Sequence, residues 1–148
     1  MDARVNRGID FEAISRIAGI VSRLGLGKSI ATILATLIIK GPLTQDEIAR
    51  ITGYSISSVS TSLSFLERMG LVTIVKRVGR RGLYSVAGSL LELIERILES
   101  HVYRQLTLTV KFLEKNISRF NYRTRKNIER IIDEYARIRG RLRDALGS

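Results

Sequence analysis

The chain has 148 residues, of which 45% are hydrophobic, enough for one hydrophobic core and typical of a folded protein. It contains no cysteine and one histidine, which excludes disulfide bonds and thiolate metal sites and predicts neither a metal nor a cofactor. No signal peptide and no membrane span of roughly 18 apolar residues is visible, so we expect a soluble, cytoplasmic protein. The formal net charge of +11 favours nucleic acid or an acidic membrane surface as a partner.

Apolar residues recur at helical spacing near the N-terminus. They predict a first helix over about residues 10–24, with an apolar side that runs from Phe11 to Val21. The glycines of Gly25-Leu26-Gly27 interrupt the pattern, and a second, more apolar helix follows. This second helix should end before Gly41-Pro42, because glycine at a helix end followed by proline is a typical stop signal.

The next segment predicts a helix–turn–helix. Thr44 is a suitable N-cap, and Glu47 three residues later completes a capping box. The short helix that follows should end at Gly53, and Ser55 should cap the next helix. Two short helices joined by a tight turn are typical of a motif that places its second helix in a DNA groove.

The second helix of this pair, over about residues 55–69, has an apolar side and a short polar side. The apolar stripe is Ile56, Val59, Leu63 and Leu66. The outer side contains Ser57, Thr61, Ser64, Phe65 and Arg68, with Ser58 and Ser60 nearby. Serine is a poor helix former, so this hydroxyl-rich surface favours close approach to base edges over a surface helix without a special role. Ser55 and Ser58, near the helix N-terminus, are better placed for phosphate.

A β-hairpin is predicted after this helix. The segments LVTIVKR and LYSV are rich in strand-forming residues and flank the turn sequence VGRRG. Lys76 and Arg77 lead into the turn, and Arg80 and Arg81 lie at its tip. Long cationic side chains on a projecting tip can enter the minor groove or contact flanking phosphates. The alternative is a solubilising turn with two charges.

From about Ser89 to the C-terminus the pattern is helical, with an interruption near Asn121. A last amphipathic helix carries Ile128, Ile131, Tyr135, Ile138, Leu142 and Leu146. These helices are too long to bury their apolar sides on a small domain, so pairing with a second copy is expected. The region is basic, and its cations include Arg119, Arg123, Arg125 and Lys126. Three interpretations of these cations are open. They could form a solvated face of a dimerisation helix, an additional contact to the DNA backbone or a docking surface for an acidic partner.

Residues 43–86 resemble the winged helix of MarR-type transcriptional regulators, particularly the GbsR-like branch. The similarity lies in GYSISSVSTSLSFLERMGLV and GRRGLYSV, and the preceding GLGKSIATILATLIIKGPLTQDEIA resembles the helix and turn that come before them. The resemblance covers about residues 25–86. It implies a homodimer on pseudo-palindromic DNA, with terminal helices at the dimer interface. It also implies DNA-facing positions for Ser55, Ser58, Ser60 and Thr61, and wing positions for Arg80 and Arg81. MarR proteins often have aspartate before the wing arginine, where this chain has Gly79.

The expected fold is mainly α with a small β-hairpin wing (α+β), a winged helix–turn–helix with long N- and C-terminal dimerisation helices. We expect an N-terminal dimerisation helix in 1–24, the DNA-binding domain in 25–88 and a basic, helical dimerisation region in 89–148. The predicted function is a sequence-specific, homodimeric regulator of transcription that binds double-stranded DNA. Two alternatives are a sequence-indifferent architectural chromatin protein and a winged-helix module for protein interaction. No catalytic pair of residues is visible, so we do not expect an enzyme, and the sequence leaves any small-molecule effector unknown.

Overall fold

The computed structural model describes the backbone of residues 3–145 and the side chains of residues 7–141. Its helices are α1 (Ala3–Arg23), α2 (Lys28–Lys40), α3 (Gln45–Thr52), α4 (Ile56–Arg68), α5 (Leu90–Leu98), α6 (Arg104–Lys115) and α7 (Tyr122–Ala145). Its strands are β1 (Leu43–Thr44), β2 (Val72–Val78) and β3 (Arg81–Val86). The chain divides into two compact units, Met1–Ile97 and Leu98–Ser148. The predicted mainly helical fold with a small β-wing is confirmed.

Helix α2 lies at the centre of the first unit. Its sequence is apolar on almost every side, and the five consecutive side chains from Ile33 to Leu37 are all buried. The one hydroxyl among them, that of Thr36, donates to the carbonyl oxygen of Thr32 over 2.7 Å. A buried polar group that is hydrogen-bonded in this way avoids the cost of desolvation. Helices α1, α3 and α4 and strand β3 all contact α2, so it supports the whole unit.

The helix–turn–helix forms through the local signals predicted from the sequence. The Thr44 hydroxyl accepts from the Glu47 backbone N–H, and the Glu47 carboxylate accepts from the Thr44 N–H, which completes the capping box at α3. Gly53 ends α3 in the left-handed conformation, with φ of 77°. This conformation favours glycine because other residues have a clashing Cβ there. Ser55 then caps α4, as predicted.

The three strands form an antiparallel sheet in the order β1-β3-β2. Strand β1 pairs Leu43 with Tyr84, which attaches the start of α3 to the middle of the sheet. The β2–β3 hairpin shifts register between Ile74 and Lys76, so Val75 forms a bulge. Bulges increase the local twist of a hairpin. The wing beyond the bulge is thereby turned relative to the part of the hairpin that packs on the core.

Helix α5 contributes to the core of the first unit. Leu93 and Ile97 are buried in the same cluster as the residues of α2 and α4. Arg96 donates through Nη1 to the carbonyl oxygens of Gly70 and Ala87, which lie on either side of the hairpin. The first unit thus extends to Ile97.

The second unit contains a π-helical turn at Glu99–Tyr103, then α6, a short 3-10 turn at Ile117–Arg119, and α7. Helices α6 and α7 pack on each other. The break between them, before Asn121, is close to the predicted interruption. Asn121 itself caps α7, because its side-chain oxygen accepts from the Thr124 N–H over 2.9 Å. Within the predicted stripe of α7, the side chain of Leu142 and all of Leu146 lie outside the described residues.

A polar network joins α6 and α7. Arg139 donates through Nη1 to the Thr107 hydroxyl and the Tyr135 phenol, at 2.7 Å each, and pairs with Glu99 over 3.3 Å. Thr107 and Tyr135 also hydrogen-bond each other. The hydrogen bond from Thr107, followed by that from Arg139, lowers the pKa of the Tyr135 phenol. Burial, and then the charge of Glu99, raises the pKa of Tyr103.

We expect the Tyr135→Phe variant to lose the early phase of the rise in phenolate absorbance with pH, because the hydrogen bonds of Tyr135 lower the pKa of its phenol. The pKa of Tyr135 is lower in the folded chain than in the unfolded one. Ionisation of Tyr135 therefore stabilises the folded state only when the pH exceeds the pKa of this phenol in the folded state. This stabilisation is absent at neutral pH. The Tyr122→Phe variant is the control, because it removes a phenol that is 74% exposed and lies outside the Arg139 network. An early phase that persists in Tyr135→Phe would contradict the assignment.

Candidate nucleic-acid interface

Helix α4 presents a stripe of hydroxyl side chains to solvent. Ser57, Thr61, Ser64 and Arg68 are exposed, and their spacing places them along one side of the helix. The opposite side enters the core through Val59, Leu63 and Leu66, none of which is exposed. The helix is therefore held rigidly from behind while its outer side remains free of bulky side chains until Arg68.

Two of the hydroxyls are already engaged with the backbone, which limits what they can do for a ligand. The Ser55 hydroxyl accepts from the Ser58 N–H over 3.1 Å, so its own O–H remains available as a donor. The Thr61 hydroxyl donates to the Ser57 carbonyl over 3.0 Å, so it can only accept from a ligand. These bonds give Ser55, at the N-terminus of α4, and Thr61, near the middle of the helix, opposite hydrogen-bonding character.

Two side chains of α4 differ from the prediction. Phe65, placed by the sequence on the outer side, is half-buried and packs against the core. Ile56, expected in the apolar stripe, is 47% exposed. It is the first residue of the helix, so the core beneath the later turns does not cover it. Ser58 and Ser60 are half-buried at the edge of the stripe, and their neighbour Ser62 is buried.

The wing ends in a two-residue turn, Gly79-Arg80, between the paired residues Val78 and Arg81. Gly79 has φ of 64°, and no other residue of the turn has a positive φ. That pattern matches a type II′ turn, which favours glycine at its first central position. Arg80 therefore sits at the extreme tip with an exposed side chain, whereas Arg81 is the first residue of β3.

The four predicted wing cations are all exposed, on β2, on the turn and on β3. Three of them line a polar recess of about 200 Å³ between the wing and the start of α3. Its charged and polar lining includes Asp46, Arg77, Arg80, Arg81, Gln45 and Tyr84. Lys76, the fourth, precedes them on β2. The wing thus concentrates positive charge, the arrangement expected for contact with phosphates.

An ion pair within this recess was not predicted from the sequence. Arg81 Nη1 lies 3.3 Å from Asp46 Oδ2, at the start of α3. The two residues are distant in the chain, and the packing of α3 and β1 on β3 brings them together. A carboxylate therefore does stand next to a wing arginine, Arg81, although Gly79 holds the position before Arg80.

The basic residues predicted for the C-terminal region differ in their surroundings. Arg119, Arg123 and Lys126 are exposed, and Lys126 lies 3.7 Å from Glu129. Arg125 is half-buried, and its Nη2 donates to the carbonyl oxygen of Phe120 over 3.1 Å. Arg125 therefore holds the turn before α7, and the other three are the more accessible cations.

A separate cavity of about 630 Å³ lies among α1, α2 and α3. Phe11, Ile14 and Ile51 form apolar walls, and the lining also contains an ion pair of 2.9 Å between Lys40 and Asp10. Two further cations, Arg7 and Arg50, line it as well. Apolar walls with an excess of positive charge are chemically suited to a molecule that has both an apolar part and a negatively charged group. These residues come from three helices, so no local sequence pattern indicates the cavity.

Among the described residues, no group of histidine, aspartate and glutamate side chains is arranged to hold a metal ion. Within the same part of the chain, no helix is both long and apolar enough to cross a bilayer.

Residues 21–88 match the model of the family described as "Sugar-specific transcriptional regulator TrmB". The matched segment contains α2, the helix–turn–helix and the whole wing. It is a winged-helix domain of the type found in transcriptional regulators, which confirms the predicted winged-helix regulator domain. The matched description is that of a regulator and not of an enzyme. No curated protein sequence matches the chain.

The chain is similar to solved structures of transcriptional regulators. A protein described as a transcriptional regulator has a TM-score of 0.70 at 18% identity, over 93% of this chain and 95% of that one. Tm0710 from Thermotoga maritima, also a transcriptional regulator, has a TM-score of 0.46 at 20% identity, over 98% and 96%. MepR of Staphylococcus aureus in its DNA complex has a TM-score of 0.44 at 17% identity, over 90% and 94%. The first of these matches establishes the overall fold.

Alanine at Ser55 should destabilise the protein, whereas alanine at Ser57 should not. Ser55→Ala removes the acceptor for the Ser58 N–H, and loss of an N-cap costs about 1 kcal/mol. Ser57→Ala replaces an exposed hydroxyl with the best helix former. Urea unfolding monitored by circular dichroism measures both free energies of unfolding. Equal values for the two variants would show that Ser55 does not act as a cap.

Proposed function

We propose that this protein is a sequence-specific regulator of transcription that binds double-stranded DNA as a homodimer. The observation that carries the proposal is the pairing of two surfaces in one small domain. Helix α4 presents hydroxyl side chains above a rigid apolar base, and the wing that follows it concentrates exposed arginines. The first surface suits base edges and the second suits phosphates.

Helix α4 is the element proposed to enter the major groove. Its 13 residues span about 20 Å, and the major groove, about 12 Å wide, admits a helix of this kind. Short side chains at Ser57, Thr61 and Ser64 allow the helix backbone to approach the bases closely. Ser55, at the N-terminus of the helix, retains an O–H donor for a phosphate, and the helix dipole favours an anion there. Ser58, Ser60 and Arg68 border this contact surface.

The wing is proposed to contact the adjacent minor groove or the phosphates beside it. Arg80 lies at the tip of the turn, and Lys76 and Arg77 precede it on the neighbouring strand. Long cationic side chains are suited to a narrow minor groove because its negative potential is enhanced. Arg119, Arg123 and Lys126 are proposed as additional contacts to the DNA backbone, on the basis of their exposure and charge.

Homodimer formation through the terminal helices is supported by apolar side chains that the monomer leaves uncovered. Ile131 and Ile138, two turns apart on α7, are 46% and 51% exposed. Phe112 on α6 is 59% exposed, and Phe11 on α1 is 70% exposed. A second copy would cover such surfaces, and its two-fold symmetry would present two α4 helices to half-sites about one helical turn, or a multiple, apart.

Selection from randomised duplex DNA at two salt concentrations, followed by sequencing, tests the proposed function. We expect enrichment of a two-fold symmetric motif. The affinity should fall as salt rises, with a log–log slope of about −0.9 for each phosphate contacted. Tight, salt-sensitive binding without enrichment would instead indicate an architectural, sequence-indifferent protein. Absence of binding at moderate salt would indicate a winged helix used for protein interaction.

On the selected motif, we expect Ser57→Ala to relax the preference at one base pair per half-site by about 1 kcal/mol, the low end of base discrimination. The reason is that Ser57 is exposed on the side of α4 that is proposed to face the bases. Repeating the selection with the variant measures the change. Ser22→Ala, an exposed serine on α1, is the matched control and should keep the wild-type preference. An unchanged motif with Ser57→Ala would remove Ser57 from the proposed interface.

Light scattering coupled to gel filtration measures the proposed dimer. We expect the wild-type chain at twice its 16.6 kDa monomer mass, and Ile131→Glu closer to the monomer mass. A charge placed in an apolar interface would lose its hydration without a partner. Asn127→Glu introduces the same charge at an exposed polar position of α7 and should remain dimeric. A wild-type monomer at micromolar concentration would contradict the proposal.

A further inference from the structure

One carboxylate stands among the cations of the wing. Asp46 lines the same recess as Arg77, Arg80 and Arg81, and it lies 3.3 Å from the guanidinium of Arg81. No described carboxylate forms an ion pair with Arg77 or Arg80. A negative charge at this place would repel the phosphates that the wing is proposed to contact. Its presence therefore requires an explanation other than attraction to DNA.

The backbone of Asp46 is held firmly in place. The residue is the second of α3, between Thr44 and Glu47, whose side chains form the capping box. Thr44 also pairs with Leu83 in the β1–β3 ladder, and Gln45 donates to the Tyr84 phenol over 3.3 Å. The Asp46 carboxylate thus projects from a rigid point at the junction of α3 and the sheet.

Arg80 and Arg81 differ in their relation to Asp46. Arg80 belongs to the turn itself and projects from its tip, whereas Arg81 is in a strand and folds back onto Asp46. The exposed fractions of the Arg81 and Asp46 side chains are 73% and 44%. An exposed ion pair of this kind contributes little to global stability. Its effect is local, because it neutralises Arg81 and directs its side chain toward α3.

We propose that Asp46 is a positioning residue that holds Arg81 against the start of α3, so that Arg80 and Arg77 make the phosphate contacts of the wing. The inference rests on the proposed DNA binding. In this arrangement Arg81 offsets the charge of Asp46 and ties the wing to the domain that carries α4. If Arg81 is released from Asp46, its side chain becomes a cation without a fixed direction. Such a cation increases the affinity for any duplex and reduces the preference for the specific DNA sequence.

The test is a double-mutant cycle on DNA affinity, measured by fluorescence anisotropy over a series of salt concentrations with the selected motif and a scrambled duplex. Arg80→Ala should lower the magnitude of the salt slope by about 0.9, the value for one lost phosphate contact. Arg81→Ala should weaken binding with little change in slope, because it exposes Asp46 to the phosphates. The Asp46→Asn/Arg81→Ala double variant should return the affinity to within about twofold of wild type.

Asp46→Asn alone should bind the scrambled duplex more tightly and show a smaller ratio of specific to non-specific affinity. Asp133→Asn, an exposed aspartate on α7, makes the same change of charge in the C-terminal unit and should leave that ratio unchanged. Thermal unfolding of each variant verifies that it is folded. The inference would be overturned if Arg81→Ala and Arg80→Ala reduced the salt slope equally and the double variant did not regain the affinity of the wild type. Failure of the wild-type chain to bind any duplex would instead overturn the proposed function, and the inference with it.

Discussion

Helix α2 is buried on nearly every side, and the arrangement of the other elements in the first unit depends on that burial. A helix with five consecutive buried side chains has no face for solvent, so neighbours must surround it, and α1, α3, α4 and β3 do so. The interior of a protein is close-packed, so these neighbours cannot shift independently of one another. The apolar side of α4 rests on this core, and the orientation of its hydroxyl side follows from the packing beneath it.

The wing is connected to the same support through polar contacts. Strand β1 joins the start of α3 to the sheet, Gln45 reaches the Tyr84 phenol, and Arg96 joins α5 to the carbonyl oxygens on both sides of the hairpin. The polar groups in these contacts could bond to water instead, so each contact contributes modestly to stability. Their combined effect is geometric, because they set the direction of the hairpin relative to α4. The two proposed DNA-contacting surfaces therefore share one rigid frame.

The sequence predicts the features that depend on near neighbours. The Thr44–Glu47 capping box, the helix end at Gly53 and the cap at Ser55 each involve residues within four positions, and all three are confirmed. The exposure of Ser57, Thr61, Ser64 and Arg68 also follows from helical periodicity. Contacts between distant residues were not predicted. The Asp46–Arg81 pair, the inward packing of Phe65 and the Arg139 network arise from tertiary structure, which a pattern of residue types does not determine.

The second unit has a small apolar core, and this affects how firmly it is folded. Among its described side chains only Tyr103, Val110 and Ile128 are apolar and buried, so polar contacts such as those of Arg139 supply much of the cohesion between α6 and α7. Regions with few buried apolar contacts open locally at lower free energy than the core of a domain. Backbone amides of α7 should accordingly exchange with solvent deuterium sooner than those of α2. Any partner that covers the exposed apolar residues would slow this exchange in proportion to its concentration.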